Sequence, residues 1–299
     1  MKKTSNNLNT LSPKEVSQKF LTSELLIQKV EEAFNIFKLE NVRESIVFPH
    51  PPFKNTAHGF ILLTEGSMQM LLNQEKFTFS SATFILTPAG QMNNFISIAP
   101  NSKGFIGTFD APLLSFDKQQ NTIATFGKML SSEQLPHFRL DTPEVELIYP
   151  IMQRIWQLHH SNHPHKLLLI PNYLCNVLLE LQALYFANAP VTKSKPEELV
   201  ANFKKLLLAE IYNSPKPSDL AKMLHVSTNH LNKVLNKLTK KTTSKWIAEQ
   251  RIMEAKYLLS YSTSSISEVA YRLGFSQPAH FTNFFKSQTG ILPTEYQKD

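Results

Sequence analysis

Residues 266–296, which read ISEVAYRLGFSQPAHFTNFFKSQTGILPTEY, constrain the fold of this chain more than any other stretch. Ser265 and Glu268 form a capping box, and the helix that follows is predicted to stop at Gly274, because glycine tolerates a left-handed backbone. A second helix is predicted to begin at Pro278, with its apolar residues at helical spacing. Two short helices joined by a tight turn form a helix-turn-helix, whose second helix can lie in the DNA major groove.

The same pattern occurs about fifty residues earlier, over residues 220–235. Its apolar residues pair with those of the C-terminal copy at offsets of 49 and 50. Between the two copies, residues 244–260 carry apolar side chains on one face of a predicted helix of 17 residues, roughly 25 Å long at 1.5 Å per residue. A rigid connector of that length can set two DNA-reading helices about one DNA turn apart, roughly 34 Å.

A set of spaced identities covers most of this region. It consists of Arg251, Ile252, Ala255, Leu258, Leu259, Ile266, Glu268, Val269, Ala270, Gly274, Phe275, Ser276, His280, Phe281, Phe285, Lys286, Gly290, Pro293 and Tyr296. This set resembles the DNA-binding domain of the AraC/XylS family of bacterial transcription regulators, over about the last hundred residues. The resemblance implies an all-α domain with two helix-turn-helix units.

The first unit departs from the family pattern at three positions. Lys240 stands where the family usually has a glycine that closes the first recognition helix, Leu235 stands where an aromatic residue is usual, and Asn236 stands where a lysine is usual. These departures bear on the geometry of the first unit and on its contacts with phosphate.

The polar faces of the two recognition helices are the candidate DNA-reading surfaces. In the first unit, the N-cap residue Ser227 is expected to direct Leu231, Val234, Leu235 and Leu238 inward. Asparagine can bond bidentately to adenine and lysine can donate to guanine, and matching positions carry base contacts in the family. The alternative is that these residues form only a solvated helix face. The predicted DNA-binding residues are Ser227, Asn229, Asn232, Lys233, Asn236, Lys237, Gln277, Ala279, Thr282, Asn283 and Lys286, with Lys286 expected on phosphate.

The length of 299 residues predicts about two domains. We expect a sensor and dimerisation domain over residues 1–190, a polar linker over 191–196 and a DNA-binding domain over 197–299. The net charge is +7, and residues 196–299 hold 14 Lys and Arg against 9 Asp and Glu, so +5 falls on the smaller part. The sequence suggests neither a signal peptide nor a membrane span, and a single cysteine agrees with a reducing compartment, so we expect a cytoplasmic protein.

From residue 46 to about residue 116 the sequence changes to short β-rich runs separated by turn residues. Strands are predicted at 58–63, 66–72, 76–79, 83–86, 95–98 and 104–109. This rhythm, placed ahead of an AraC-type domain, resembles the cupin-like sensor barrel of the family. An apolar inward set would suit a lipophilic or aromatic effector better than a sugar, although the same residues could fill a core. The predicted ligand-binding residues are Phe48, Phe60, Leu62, Met68, Met70, Phe84 and Phe95.

Three further segments are predicted to be helical. One begins at a capping box at Ser12 and runs to about residue 39. The other two cover 142–160 and 165–188, and their apolar residues alternate at spacings of three and four, as in coiled coils. Either both seams pack on each other and on the barrel, or one of them forms a homodimer. The seams are Val145, Ile148, Met152, Ile155 and His159 in the first helix, and Ile170, Leu174, Val177, Leu181 and Leu184 in the second.

No cofactor, metal or catalytic residue is predicted. His50 and His58 precede Gln91, where a further histidine ligand would be expected in a metal-binding cupin. Cys175 lies in an apolar helix, which favours a buried inert thiol over a redox sensor. A cluster of histidines is predicted to be a hydrated loop rather than a metal site. These are His159, His160, His163 and His165.

The sequence therefore predicts an α+β chain: an N-terminal cupin-like antiparallel β-barrel with a helical dimerisation pair, and a C-terminal all-α domain with two helix-turn-helix units. The expected function is sequence-specific binding to promoter DNA, controlled by a small-molecule effector. One alternative is a cupin-type enzyme that the C-terminal domain localises to DNA. Another is an effector-independent regulator that acts through dimerisation or a protein partner. The expected partners are double-stranded promoter DNA, the effector and a second copy, with RNA polymerase as a further candidate.

Overall fold

The computed structural model describes residues 33–46, 48, 50–114, 137–188 and 194–298. The chain divides into two compact units, Met1–Ala189 and Pro190–Asp299, which we call the N-terminal unit and the C-terminal unit.

The described part of the N-terminal unit consists of two antiparallel sheets and three helices. The five-stranded sheet has the order β1-β8-β3-β6-β9, and the four-stranded sheet has the order β2-β7-β4-β5. The six strands predicted between residues 58 and 109 correspond to β3–β8. The elements are β1 Phe34–Lys38, α1 Leu39–Arg43, β2 Phe53–Lys54, β3 His58–Glu65, β4 Ser67–Leu72, β5 Glu75–Ser80, β6 Thr83–Thr87, β7 Met92–Ile98, β8 Lys103–Phe109, β9 His137–Arg139, α2 Thr142–His159 and α3 Lys166–Asn188.

Apart from its edge strand β9, the five-stranded sheet is largely buried on both faces. Because side chains alternate along a strand, Phe60 and Leu62 of β3 point to one face and Ile61 points to the other. Phe60 and Leu62 belong to a core cluster that includes the buried sides of α2 and α3. Ile61 instead lines a cavity on the opposite face. One sheet thus forms the wall of a cavity and the floor beneath a helical layer.

The prediction of a helix that runs to about residue 39 is wrong for the C-terminal part of that segment. Residues Phe34–Lys38 form β1, which pairs with β8 at the edge of the five-stranded sheet. Phe34 and Phe37 fit helical spacing, but Asn35 and Ile36 are buried as well, so both faces of the segment are covered and no period can be read from it. The start of the predicted helix, at Ser12, lies outside the described residues.

The helices α2 and α3 pack on each other and on the five-stranded sheet. A capping box of Asp141 with Glu144 opens α2, and both of its bonds are present. The apolar seams predicted on the two helices are buried or half-buried in the core cluster, so both are used inside the unit. By length and composition α3 is also apolar enough to cross a membrane, contrary to expectation, but the core helix of a soluble protein passes the same test.

The C-terminal unit is helical throughout its described residues. The first of its helices is capped at Ser194 and begins at Lys195, so the predicted linker over 191–196 overlaps this helix at its end. Residues 191–193 lie outside the described part. The helices are α4 Lys195–Glu210, α5 Pro217–Met223, α6 Thr228–Thr239, α7 Thr243–Tyr261, α8 Ile266–Arg272, α9 Pro278–Thr289 and α10 Pro293–Lys298, with a 3-10 turn over Ile211–Asn213.

We expect Phe84→Ala to lower the free energy of unfolding by about 3–5 kcal/mol, because Phe84 is 0% exposed between the sheet and the helices and its removal leaves a cavity. The matched control is Leu147→Ala on α2, where the side chain is 48% exposed and the loss should be under ~1 kcal/mol. Urea denaturation of both variants makes the comparison. Equal losses would contradict the two-faced burial of the sheet.

Candidate ligand cavity and nucleic-acid interface

A cavity of about 70 Å³ lies between the two sheets of the N-terminal unit. Its walls are largely apolar, and the side chains come from both sheets. They include Phe37, Ile61 and Ile106 from the five-stranded sheet and Met70 and Phe95 from the four-stranded sheet. The volume is roughly half of the ~150 Å³ cavity that holds benzene in an engineered protein, so only a small molecule or a small part of a larger one fits.

Three polar residues and one glycine cross the floor of this cavity on four neighbouring strands. Asn35 of β1 stands opposite Thr108 of β8, Thr108 stands opposite Gly59 of β3, and Gly59 stands opposite Thr87 of β6. We call Asn35, Thr108, Gly59 and Thr87 the polar row. A Cβ atom on Gly59 would lie 2.3 Å from Thr87 Oγ1, so the Thr87 hydroxyl occupies the space that a side chain at Gly59 would need.

Two polar atoms at the cavity are buried without a hydrogen-bond partner among the described residues. They are Asn55 Oδ1 and Thr108 Oγ1. The neighbouring polar groups are engaged. Asn35 Oδ1 accepts a bond from the Thr108 backbone N–H at 3.0 Å. Asn93 Oδ1 accepts a bond from Gln91 Nε2, and Asn93 Nδ2 donates to the backbone carbonyl oxygen of Gln91. Buried polar atoms are normally paired, so two unpaired oxygens at one cavity indicate a place for an added donor.

The predicted ligand residues divide into two groups. Met70 and Phe95 line the cavity, and Phe60 also borders it although it belongs to the core cluster with α2 and α3. Phe48 and Met68 are not among the lining residues. Leu62 and Phe84 were wrongly placed inward, because their side chains lie on the other face of the sheet, in the cluster with α2 and α3. Sequence reasoning missed the polar row and Asn55. Its available signal was the presence of asparagines within strands, where this residue type is depleted.

The histidines near the cavity do not converge. Burial lowers the pKa of His50 to about 4, and His50 Nδ1 lies 2.7 Å from the carbonyl oxygen of Pro51. His58 Nδ1 accepts a bond from the backbone N–H of Ala89. His159, predicted in a hydrated loop, is buried at the end of α2. Among the described residues, no three His, Cys, Asp or Glu side chains are grouped to hold a metal ion. Cys175 is half-buried rather than buried.

In the C-terminal unit, α5 with α6 and α8 with α9 form two similar helix pairs. Each consists of a seven-residue helix followed by a twelve-residue helix. The turn after α5 is closed by a bond from Val226 N–H to Ala221 C=O, and the turn after α8 by a bond from Phe275 N–H to Ala270 C=O, both at 3.0 Å. These are corresponding residues at an offset of 49, so the two turns share one hydrogen-bond pattern.

The second helix of each pair presents a polar face to solvent. On α6, whose N-cap Ser227 accepts a bond from the backbone N–H of His230, the apolar residues Leu231, Val234 and Leu235 are buried. Leu238 is exposed, contrary to expectation. On α9 the Thr282 hydroxyl donates to the carbonyl oxygen of Pro278 and is half-buried. The other predicted DNA-binding residues are all exposed: Ser227, Asn229, Asn232, Lys233, Asn236, Lys237, Gln277, Ala279, Asn283 and Lys286.

Asn232 also has a structural role that its sequence position did not suggest. Its Oδ1 accepts a bond from the Thr243 backbone N–H at 3.0 Å and lies 3.3 Å from the Thr243 hydroxyl. Thr243 is the first residue of α7, where the backbone N–H groups have no partner within the helix. Asn232 therefore ties the middle of α6 to the start of α7 and has less freedom to turn toward a base.

A buried polar network lies along α7. The carboxylate of Glu254, which is 1% exposed, accepts a bond from Gln250 Nε2 at 3.1 Å and a short bond from the Tyr212 hydroxyl. Burial, together with the Glu254 charge, raises the pKa of Tyr212, so the phenol stays protonated and donates. The network links the 3-10 turn after α4 to the middle of α7.

The turn of the second helix pair touches the segment that precedes the first. Arg251 of α7 donates from Nη2 to Ser214 Oγ at 2.7 Å, and a Cβ atom on Gly274 would lie 2.3 Å from the Ser214 Cβ. Gly274 has a φ of +81°, so both its conformation and its surroundings exclude a side chain. Ser214 also lies in the left-handed region, with a φ of +54°. The two pairs are thus packed closely at this point.

Comparison with known proteins supports this description. The family model of a helix-turn-helix domain matches residues 220–299. The Msm operon regulatory protein of Streptococcus mutans is 29% identical over 108 residues, which cover 36% of this chain and 39% of that protein. The transcriptional activator RhaS of Escherichia coli is 29% identical over 79 residues, which cover 26% of this chain and 28% of RhaS.

The C-terminal unit contains an AraC/XylS-type helix-turn-helix domain. This confirms the resemblance found in residues 251–296. The chain covers less than two fifths of the length of these two relatives, both of which are named as regulators rather than enzymes. A crystal structure of ToxT from Vibrio cholerae with bound unsaturated fatty acid covers 89% of this chain and 95% of that chain, at 13% identity and a TM-score of 0.42. That similarity is too low to indicate a common ligand.

The AraC-type domain closes the second helix of each pair with different residues in the same conformation. After α6, Lys240 has a φ of +58°, and after α9, Gly290 has a φ of +85°. The N–H of each bonds back to the carbonyl oxygen four residues earlier. The departure at Lys240 therefore leaves the geometry of the cap intact and adds the strain of a left-handed non-glycine residue, about 1 kcal/mol.

We expect Lys240→Gly to raise the free energy of unfolding by about 0.5–1 kcal/mol, because glycine adopts this backbone without strain. Gly290→Ala should lower it by a similar amount. A Cβ atom there meets nothing within 4 Å, so backbone strain is the whole effect. Lys240→Ala is the matched control, since it removes the same charge and keeps the strain. Urea unfolding in 0.5 M salt measures the free energy of unfolding of all three variants. If Lys240→Ala also stabilises the protein, the gain in Lys240→Gly comes from removal of the charge rather than from relief of backbone strain.

Proposed function

We propose that this protein is a sequence-specific DNA-binding transcription regulator, in which each helix pair is a helix-turn-helix unit and α6 and α9 are the recognition helices. The observation that carries the proposal is the repeated pair. Two copies of one turn pattern each present a polar face on the second helix, and α7 joins them. The surplus of positive charge over residues 196–299 supports contact with the phosphate backbone.

Selection of binding fragments from a random duplex pool tests this function directly. The expected result is a motif with two conserved segments about one DNA turn apart, because two recognition helices on one rigid connector read successive major grooves. Recovery of fragments with no shared motif would contradict sequence-specific binding. The same experiment supplies the DNA for the variants below.

Within α6, we propose Lys233 and Asn236 as the principal base-reading residues, with Asn229 beside them. Asn232 is placed second, because its Oδ1 already bonds to Thr243. On α9 the proposed readers are Gln277, Ala279, Thr282 and Asn283, with Lys286 on phosphate. Ser227 and Lys237, at the two ends of α6, are proposed to contact the DNA backbone.

We expect Lys233→Ala to weaken binding to the selected site by about 1–3 kcal/mol and to relax the preferred sequence at one base pair. Lys286→Ala should weaken all sequences about equally and reduce the slope of log affinity against log salt by about one. Lys205→Ala, at an exposed position of α4, removes the same charge away from both recognition helices and serves as the control. Fluorescence anisotropy at several salt concentrations measures these effects. Unchanged affinity and sequence preference in Lys233→Ala would remove α6 as a reader.

For the N-terminal unit we propose a cupin-like sensor barrel over residues 1–190, followed by the linker and the DNA-binding domain over 197–299. The cavity between the two sheets supports the proposal, since small-molecule sites are concave and mostly apolar with a few polar groups. An effector bound there would act by favouring one arrangement of the chain over another. We expect this regulator to work in the cytoplasm, with RNA polymerase as a further partner at the promoter.

We further propose that the N-terminal units form a homodimer through α3. The seam predicted for this role is buried in the core, but α3 carries a second stripe of partly or fully exposed residues. Its members follow one another at spacings of four and three, which suits packing against another helix. Large apolar side chains stand exposed along it, at Leu168, Leu179 and Phe186. The stripe consists of Leu168, Asn172, Cys175, Leu179, Gln182 and Phe186.

We expect the full-length protein to be a dimer at tens of micromolar and Leu179→Glu to be a monomer, because a buried carboxylate in an apolar seam is strongly unfavourable. Asn176→Glu is the control, since Asn176 is exposed on the same helix outside the stripe. Light scattering gives the mass, and circular dichroism verifies that both variants are folded. A monomeric parent protein, or a Leu179→Glu variant that still dimerises, would refute this interface.

A further inference from the structure

The cavity of the N-terminal unit has a chemistry that narrows the class of its ligand. Each of its lining residues in the described part of the chain is uncharged. Lys54 lies between two of them, Phe53 and Asn55, but is not a lining residue itself. His50, whose ring packs against Phe53 and Phe95, is neutral at pH 7 because burial lowers its pKa to about 4. A carboxylate in this cavity would lose its hydration without meeting a cation.

The unpaired polar atoms at the cavity are suited to a ligand that donates a hydrogen bond. Asn55 Oδ1 can only accept a hydrogen bond, and Thr108 Oγ1 can accept or donate. Both atoms are buried without a partner among the described residues, and an oxygen left in this state costs the full desolvation penalty. Water could satisfy them, but an apolar cavity with two acceptors on one side also fits a molecule with a polar end and a short apolar body.

The residues around Gly59 give the position of that polar end. Thr108 and Thr87 flank Gly59 on the two neighbouring strands, roughly 10 Å apart at ~4.8 Å per strand. The Thr87 hydroxyl lies where a side chain at Gly59 would stand, and Asn55 Nδ2 lies 3.8 Å from the position of that Cβ atom. Three polar side chains therefore surround one point on the cavity floor, and the apolar wall of Phe37, Met70 and Phe95 faces it.

We infer that the cavity binds a small uncharged molecule that directs an N–H or O–H group toward Asn55 and Thr108, beside the Thr87 hydroxyl, such as a short-chain primary amide or alcohol. This inference rests on the proposal that the cavity is the effector site. It excludes the lipophilic acids that the apolar lining alone would admit. It also sets a size limit, because a volume of about 70 Å³ holds few heavy atoms.

Three isosteric probes separate the possibilities. Propionamide donates, propionate carries a negative charge, and butanone accepts hydrogen bonds but has no donor. The full-length protein is labelled at its methionine methyl groups and titrated with each probe by NMR. Met70 lines the cavity, whereas Met223 and Met253 lie in the C-terminal unit and serve as internal references. We expect propionamide to shift the Met70 signal with a Kd at least tenfold lower than either other probe.

Two variants test the assigned contacts. Thr108→Val replaces the unpartnered hydroxyl by a methyl group of the same size, so we expect propionamide to bind at least fivefold more weakly while the ligand-free protein melts about 2–4 °C higher. A residue that only supports the fold would show a lower melting temperature instead. Gly59→Ala would place a methyl group 2.3 Å from Thr87 Oγ1 and so displace the Thr87 side chain at the polar end of the cavity, which should abolish the Met70 shift.

Each outcome has one meaning. Tighter binding of propionate or butanone, or unchanged propionamide affinity in Thr108→Val, overturns the inference. So does the absence of any Met70 shift with all three probes, which would leave the two oxygens to water. Binding of the selected duplex is measured on the same samples. If specific DNA binding persists while the probes fail, only the ligand class is wrong, and if DNA binding is also lost the regulator proposal fails with it.

Discussion

Burial of the five-stranded sheet on both faces is the constraint on which the N-terminal unit depends. Within β3, Phe60 and Leu62 pack under the helices while Ile61 lines the cavity. A residue that contacts a ligand is therefore the chain neighbour of residues that support α2 and α3. Because packed interiors are dense, a displacement of this strand changes the packing on both of its faces. The cavity and the helical layer share one structural wall.

The same constraint explains how far the sequence could predict the fold. Strand positions were readable, since turn residues separate the β-rich runs, and so were the helix starts at Ser227 and Ser265, where a side chain caps the helix. The direction of side chains was not readable, because alternation marks the inward face only when the other face is polar. Leu62 and Phe84 were assigned to the cavity for that reason, and β1 was assigned to a helix.

The polar faces of α6 and α9 were predicted well as exposed surfaces, and the contacts of their individual residues were predicted less well. Helical spacing identifies which residues share a face, and all but Thr282 of those named are exposed. Helical spacing does not identify a contact with a distant residue. An example is the hydrogen bond from the Thr243 backbone N–H to the side chain of Asn232, eleven residues earlier. Similarly, the polar row at the cavity comes from four strands that meet only in the folded sheet. Contacts of this kind depend on register, which a single sequence does not contain.

The close approach of Gly274 to Ser214, supported by the bond from Arg251, joins the second helix pair to the residues just before the first. Neither helix pair can turn far without opening this contact. The spacing between α6 and α9, the proposed recognition helices, is therefore a property of the protein, whereas a duplex rotates by about 35° with each added base pair. When one base pair is inserted between the two halves of a site, the DNA has to absorb the mismatch by twisting or bending. The affinity of the protein for promoters with different spacings would then depend on how flexible the DNA is between the two contacts, at base pairs that no side chain touches.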